Sequence, residues 1–90
     1  MNKNYYKFTE KMMNDTDITM LEVRILFIIQ DYQHIVETTG KMPDFKLTNE
    51  YLWTKLGVSR STIIRLLRRL FKEGYIRKEK TGKGRYLVFN

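Results

Sequence analysis

Residues Thr48 to Glu73, TNEYLWTKLGVSRSTIIRLLRRLFKE, constrain this chain more than any other stretch. A short apolar-patterned segment ends at Leu56, Gly57-Val58-Ser59 makes a tight connector, and a longer segment begins at Arg60. Gly57 directly follows the last apolar position, where a helix end adopting the left-handed conformation needs glycine. Ser59 then stands where a hydroxyl caps the next helix, with Val58 and Ile63 spaced as a hydrophobic staple. The pattern predicts two helices meeting at a sharp angle.

At 100° per residue the second of these helices divides cleanly. Ile63, Leu66, Leu67, Leu70 and Phe71 fall on one side, and Ser61, Arg65, Arg68, Arg69 and Lys72 on the other, with Thr62 at its edge and Ile64 on the boundary. No acid lies between Arg60 and Lys72, so pairing along the helix cannot neutralise that run of cations. Glu73 comes only after it, and Gly74 terminates the helix.

Charge is distributed as unevenly along the whole chain. Of its 90 residues, 1–45 carry five Lys/Arg against seven Asp/Glu, and 46–90 carry twelve against three. The positive excess lies wholly in the half containing the basic helix, the footprint expected of a nucleic-acid binder. Arginine reads guanine edges with two parallel hydrogen bonds, and the N-terminal half of such a helix enters the major groove deepest. Ser61, Thr62 and Arg65 are therefore the base-contact candidates. Arg60, Arg68, Arg69 and Lys72 are the phosphate candidates, which position a protein without reading sequence.

Thr19 and Glu22 form a capping box that opens the first long helix, stapled by Ile18 and Val23 and running from Met20 to about Glu37. Leu21, Ile25, Ile28, Ile29, Tyr32, Ile35 and Val36 fill one broad face. Met20, Val23, Leu26 and Phe27 fall outside it. Apolarity on nearly all sides predicts burial on more than one, either under the N-terminal arm or against a second copy. That arm, 1–17, holds an aromatic run, Tyr5 to Thr9, that reads as a short strand, and Lys11-Met12-Met13 can continue as a helical turn. Gly40 and Pro43 mark a loop, after which Thr48 caps the second helix, with Leu47 and Leu52 as its staple. Leu52 and Leu56 face inward, with Trp53 or Tyr51. Tyr75 to Glu79 and Arg85 to Phe89 read as strands flanking a five-residue tip, Lys80 to Gly84. This hairpin presents Lys78, Lys80, Lys83 and Arg85.

LTNEYLWTKLGVSRSTIIRLLRRLFKEGYIRKE, followed by the basic hairpin, resembles the winged helix-turn-helix superfamily. The resemblance implies a mainly α, α+β fold: three helices, a C-terminal two-stranded wing and the candidate N-terminal strand, in one domain over 1–90. It divides as arm 1–17, first helix 18–38, helix-turn-helix 48–73 and wing 74–90. It implies double-stranded DNA binding, the third helix in the major groove and the wing on the backbone or minor groove. The opening YYKFTEKMMNDTDITMLEVRILFIIQDYQ looks like the N-terminal winged-helix domain of plasmid and phage replication initiators in Gram-positive bacteria. That implies a transcription regulator or replication accessory of a mobile element. The partners implied are DNA, a second copy through the first helix and the arm, and a replication protein.

Two other classes compete. An adaptor for a helicase, primase or polymerase would use the second apolar side of the first helix. A single-strand binder would stack bases on Tyr5, Tyr6 and Phe8. No nucleophile triad, phosphate-cradling glycine loop or acid/base carboxylate pair is legible, so no enzyme and no cofactor is expected. His34 with Asp31 and Glu37 reads as ordinary helix surface rather than a metal site. Without cysteine, an export signal or an apolar run of spanning length, a cytoplasmic protein is expected.

Overall fold

The computed structural model describes residues 8–40, 47–81 and 84–90, with the side chains of 80, 81 and 84–86 excepted. Thr9 caps α1 (Glu10–Asn14), its hydroxyl accepting from the Met12 amide. Thr19 caps α2 (Met20–Thr39) through a complete capping box, in which Glu22 Oε1 accepts from the Thr19 amide at 2.9 Å and the Glu22 amide donates back to the Thr19 hydroxyl. Thr48 caps α3 (Asn49–Leu56) and Ser59 caps α4 (Arg60–Lys72), as their spacing predicts.

Both ends of the connected pair close through glycine in the left-handed region. Gly57 has φ 68° and lets the Val58 amide reach the Trp53 carbonyl. Gly74, at φ 77°, completes a Schellman closure of α4: the Tyr75 amide bonds Leu70 O at 2.9 Å and the Gly74 amide bonds Phe71 O at 3.1 Å. A side chain at either position would meet the steric cost of that region.

After α4 the chain runs directly into β1 (Ile76–Thr81), which pairs antiparallel with β2 (Gly84–Phe89) from Ile76↔Phe89 to Thr81↔Gly84. The expected five-residue tip is thus shorter: its polar residues Lys80 and Thr81, and Gly84, continue the ladder. Only 82–83 connect the strands, and they lie outside the described residues. The sheet has two strands among the described residues. Of the proposed N-terminal strand, Tyr5 and Tyr6 lie outside the described residues, and Thr9 is a helix cap instead.

The described core joins every helix to the hairpin. Ile25, Leu26 and Ile29 of α2, Leu52 of α3, Ile63 and Leu70 of α4, Ile76 of β1 and Leu87 of β2 share one buried cluster. Helix α3 packs on α4, and α2 on β2. Met12 of α1 is 1% exposed in the same cluster, so the N-terminal segment helps cover α2. The buried arc of α2 is rotated from the one its apolar residues suggest. It includes Val23 and Leu26 together with Glu22 and Gln30, while Leu21, Ile28, Ile35 and Val36 are only half-buried. The two polar residues inside the arc hid it from an apolarity count.

Candidate nucleic-acid interface

Helix α4 owes its orientation to its apolar side. Ile63, Leu66, Leu67 and Leu70 are all buried, so the opposite side must face solvent. Ser61, Arg65, Arg68 and Lys72 are exposed there, as is Arg60 in the first turn, and Thr62 is half-buried. No salt bridge holds Arg60, Arg65, Arg68 or Lys72 among the described residues. At the N-terminal end three hydroxyls form a local cluster, with Ser59 Oγ 2.9 Å from Thr62 Oγ1 and 3.2 Å from Ser61 Oγ. Hydroxyls arranged this way can donate or accept, which suits either class of base edge.

Arg69 is the exception. Its Nη2 lies 2.7 Å from Asp15 Oδ2, and its Nη1 lies 2.8 Å from Glu22 Oε2. The guanidinium is drawn toward the body by two carboxylates that are 47 and 54 residues away in sequence. Expected among the phosphate contacts, Arg69 in this structure ties α4 to α2 and to the turn after α1. Bonding to Asp15, and then to Glu22, pushes its pKa above the ordinary arginine value against the effect of burial. The same hydrogen bond from Arg69 lowers the pKa of Asp15, although burial opposes it, and the Tyr75 hydroxyl and Asp17 amide add to the lowering.

Tyr75 completes this cluster. Its hydroxyl donates to Asp15 Oδ2 at 2.8 Å and lies 3.2 Å from the Lys11 carbonyl oxygen. Lys11 Nζ sits over the Tyr75 ring, 4.7 Å from its centre, and donates to the Glu73 carbonyl at the end of α4. Burial, then the bond to Asp15, pushes the Tyr75 hydroxyl up to about 12 from 10.0. Two pH effects on stability should follow. A folded pKa below the unfolded 3.8 makes Asp15 stabilising above that pH, a contribution lost as pH falls through the folded value. A folded pKa above the unfolded one makes Tyr75 stabilising below pH 10, a contribution lost as pH rises toward 12. Thermal melts should therefore fall at both extremes, and Tyr75→Phe should flatten the alkaline fall and, by removing one of the bonds that lower Asp15, soften the acid fall to a smaller extent. An unchanged alkaline limb in that variant would exclude Tyr75 as its source.

The hairpin continues the basic surface. Lys78 is exposed, its Nζ 5.4 Å from the centre of the Phe71 ring. Arg77, not anticipated as a wing residue, is held by Glu79 at 2.9 Å and by the Asn90 side chain. Lys80 and Arg85 are register partners in the ladder, but their side chains, like all of Lys83, lie outside the described residues. Between the hairpin and α4, Leu47, Ile64, Phe71, Leu87, Arg68 and Lys78 contribute to a cavity of about 480 Å³, which places Ile64 beside an aromatic.

An exposed basic helix, packed on a second helix through a glycine turn and followed directly by a two-stranded hairpin, is a winged helix-turn-helix. A family model described as the MarR family matches residues 18–82. The chain belongs to the MarR family. MarR proteins are winged-helix DNA-binding transcription regulators. No curated protein and no solved structure matches the chain. The MarR match begins at Ile18, so α1 and Asp15 precede it. Among the described residues no helix is long and apolar enough to cross a membrane, and no three His, Asp or Glu converge as a metal site.

Proposed function

We propose that this MarR-family chain binds specific duplex sites with α4 in the major groove and the β1–β2 hairpin on the flanking backbone or minor groove, acting as a transcription regulator in the cytoplasm. The observation that carries the reading is the exposed row Arg65, Arg68 and Lys72 opposite the packed face, joined by exposed Arg60 in the first turn, none of them salt-bridged among the described residues. Ser61, Thr62 and Arg65 read bases. Arg60, Arg68, Lys72, Lys78, Lys80, Lys83 and Arg85 hold phosphates. A second copy docks through the outer side of α2 and the N-terminal arm, a reading supported by exposed Met13 and Met20 and half-buried Phe27 and Ile28. Paired half-sites about one helical turn apart are then expected.

Selection from random duplexes at physiological salt tests the reading. It should return one motif with two-fold symmetry, and recovery of no motif would overturn it. Arg65→Ala should weaken binding to the selected site by roughly 1–3 kcal/mol and relax the preference at one base pair. Equal weakening on every duplex would move Arg65 to the phosphate set.

A further inference from the structure

We propose that Asp15 and Glu22 are positioning residues for the DNA interface, setting the angle of α4 by holding Arg69. The inference rests on the reading of α4 as the DNA-contacting helix.

Three linked attachments meet at the C-terminal end of α4. Arg69 bonds both carboxylates, at 2.7 and 2.8 Å. Lys11 donates to the carbonyl of Glu73, the residue that caps α4. The Tyr75 hydroxyl, one residue beyond the closing glycine, bonds Asp15 from the other side. Asp15 thus accepts from α4, from the start of the hairpin and from the Asp17 amide at once. Glu22, 1% exposed, spends one oxygen on the α2 cap and the other on Arg69. No buried side-chain nitrogen or oxygen among the described residues lacks a partner, and satisfied polar networks of this kind favour a defined arrangement.

The clamp and the candidate reading residues stand at opposite ends of one helix. Ser61 is eight positions before Arg69, about 12 Å along the axis at 1.5 Å per residue. A tilt of about 10° at the clamp would move Ser61 by about 2 Å, against hydrogen-bond lengths that tolerate a few tenths of an ångström. Apolar packing alone leaves such tilts cheap, because it is not directional, whereas a two-carboxylate grip on a planar guanidinium is. Asp15 lies before the stretch that matches the MarR family and Glu22 lies inside it, so half of this grip on α4 comes from a segment outside that match.

A contact role and a positioning role for Arg69 predict opposite results for the carboxylates. If Arg69 were a phosphate ligand in waiting, Asp15→Asn and Glu22→Gln would release it and tighten binding. Under the positioning role both weaken binding to the selected duplex by about ten-fold, the scale of one lost base contact, while binding to a scrambled duplex of equal length stays within about two-fold. Arg69→Lys, able to hold one carboxylate at a time, falls between them. In the DNA-free protein, the backbone amide resonances of Ser61 to Arg65 shift in Asp15→Asn, although Asp15 bonds none of them. Thermal melts confirm that each variant is folded at the assay temperature; if Asp15→Asn does not fold, the Glu22→Gln and Arg69→Lys proteins carry the comparison. Unchanged or tighter specific binding, equal loss on both duplexes, or unmoved resonances would overturn the proposal. If the wild-type protein shifts no duplex, the DNA reading fails, and the resonances still decide whether the clamp sets the helix.

Discussion

Leu70→Ala should lower the unfolding free energy by about 3–5 kcal/mol, the upper range for a buried leucine cut back to a methyl. Leu70 is 0% exposed and shares the core cluster with Met12, Ile29, Leu52 and Tyr75, while its carbonyl closes the end of α4 by accepting from the Tyr75 amide. The cavity therefore opens in the cluster that joins all four helices to the hairpin, next to Arg69 of the polar clamp. Domains of this size are stable by only about 5–15 kcal/mol, so the loss should be visible as a much lower urea midpoint with an unchanged slope. Arg68→Ala, two residues away on the exposed side, should stay within about 0.5 kcal/mol and serves as the control. A cost below about 1 kcal/mol for Leu70→Ala would mean that the site collapses freely and that α4 is not held as described.

Leu70 was legible from the sequence because everything that fixes its side of α4 is local. The apolar residues recur at helical spacing, Ser59 caps one end and Gly74 closes the other, and the resulting partition of α4 matches the buried set Ile63, Leu66, Leu67 and Leu70. The three caps at Thr19, Thr48 and Ser59 were legible for the same reason. Arg69 was not, since its partners Asp15 and Glu22 belong to other elements and a tally of neighbouring charges cannot see them. One signal was available. Arg69 sits beside Leu66 and Leu70, at the margin of the basic face, where a long side chain can turn toward the body. The rotated burial of α2 is hidden for a related reason: the sequence shows Glu22 as a cap, and the use of its second oxygen depends on Arg69, 47 residues away. The hairpin length was missed because polar residues such as Lys80 and Thr81 pair through their backbones, which side-chain patterning does not report.

Under the proposed reading, with Arg69 held by Asp15 and Glu22, salt should act through the other cations. If about six of the seven proposed contacts, Arg60, Arg68 and Lys72 on α4 and the four wing cations, are engaged at once, log affinity should fall with log salt at a slope of about −5. Raising monovalent salt from about 50 to about 200 mM then weakens duplex binding by about a thousand-fold, the largest effect expected of any single change to this system. Mobility shift or fluorescence anisotropy across that range measures it directly. The slope also separates the two kinds of arginine, because each phosphate contact adds about 0.9 to its magnitude whatever the absolute affinity. Arg68→Gln should make the slope shallower by about that amount, while Arg69→Gln should leave it unchanged and lower only the affinity for the selected site. A slope that drops equally in both variants would return Arg69 to the DNA, which would require its bonds to Asp15 and Glu22 to open on binding. A wild-type slope near zero would remove the phosphate contacts altogether, and with them the reason for placing the basic half of the chain on a duplex.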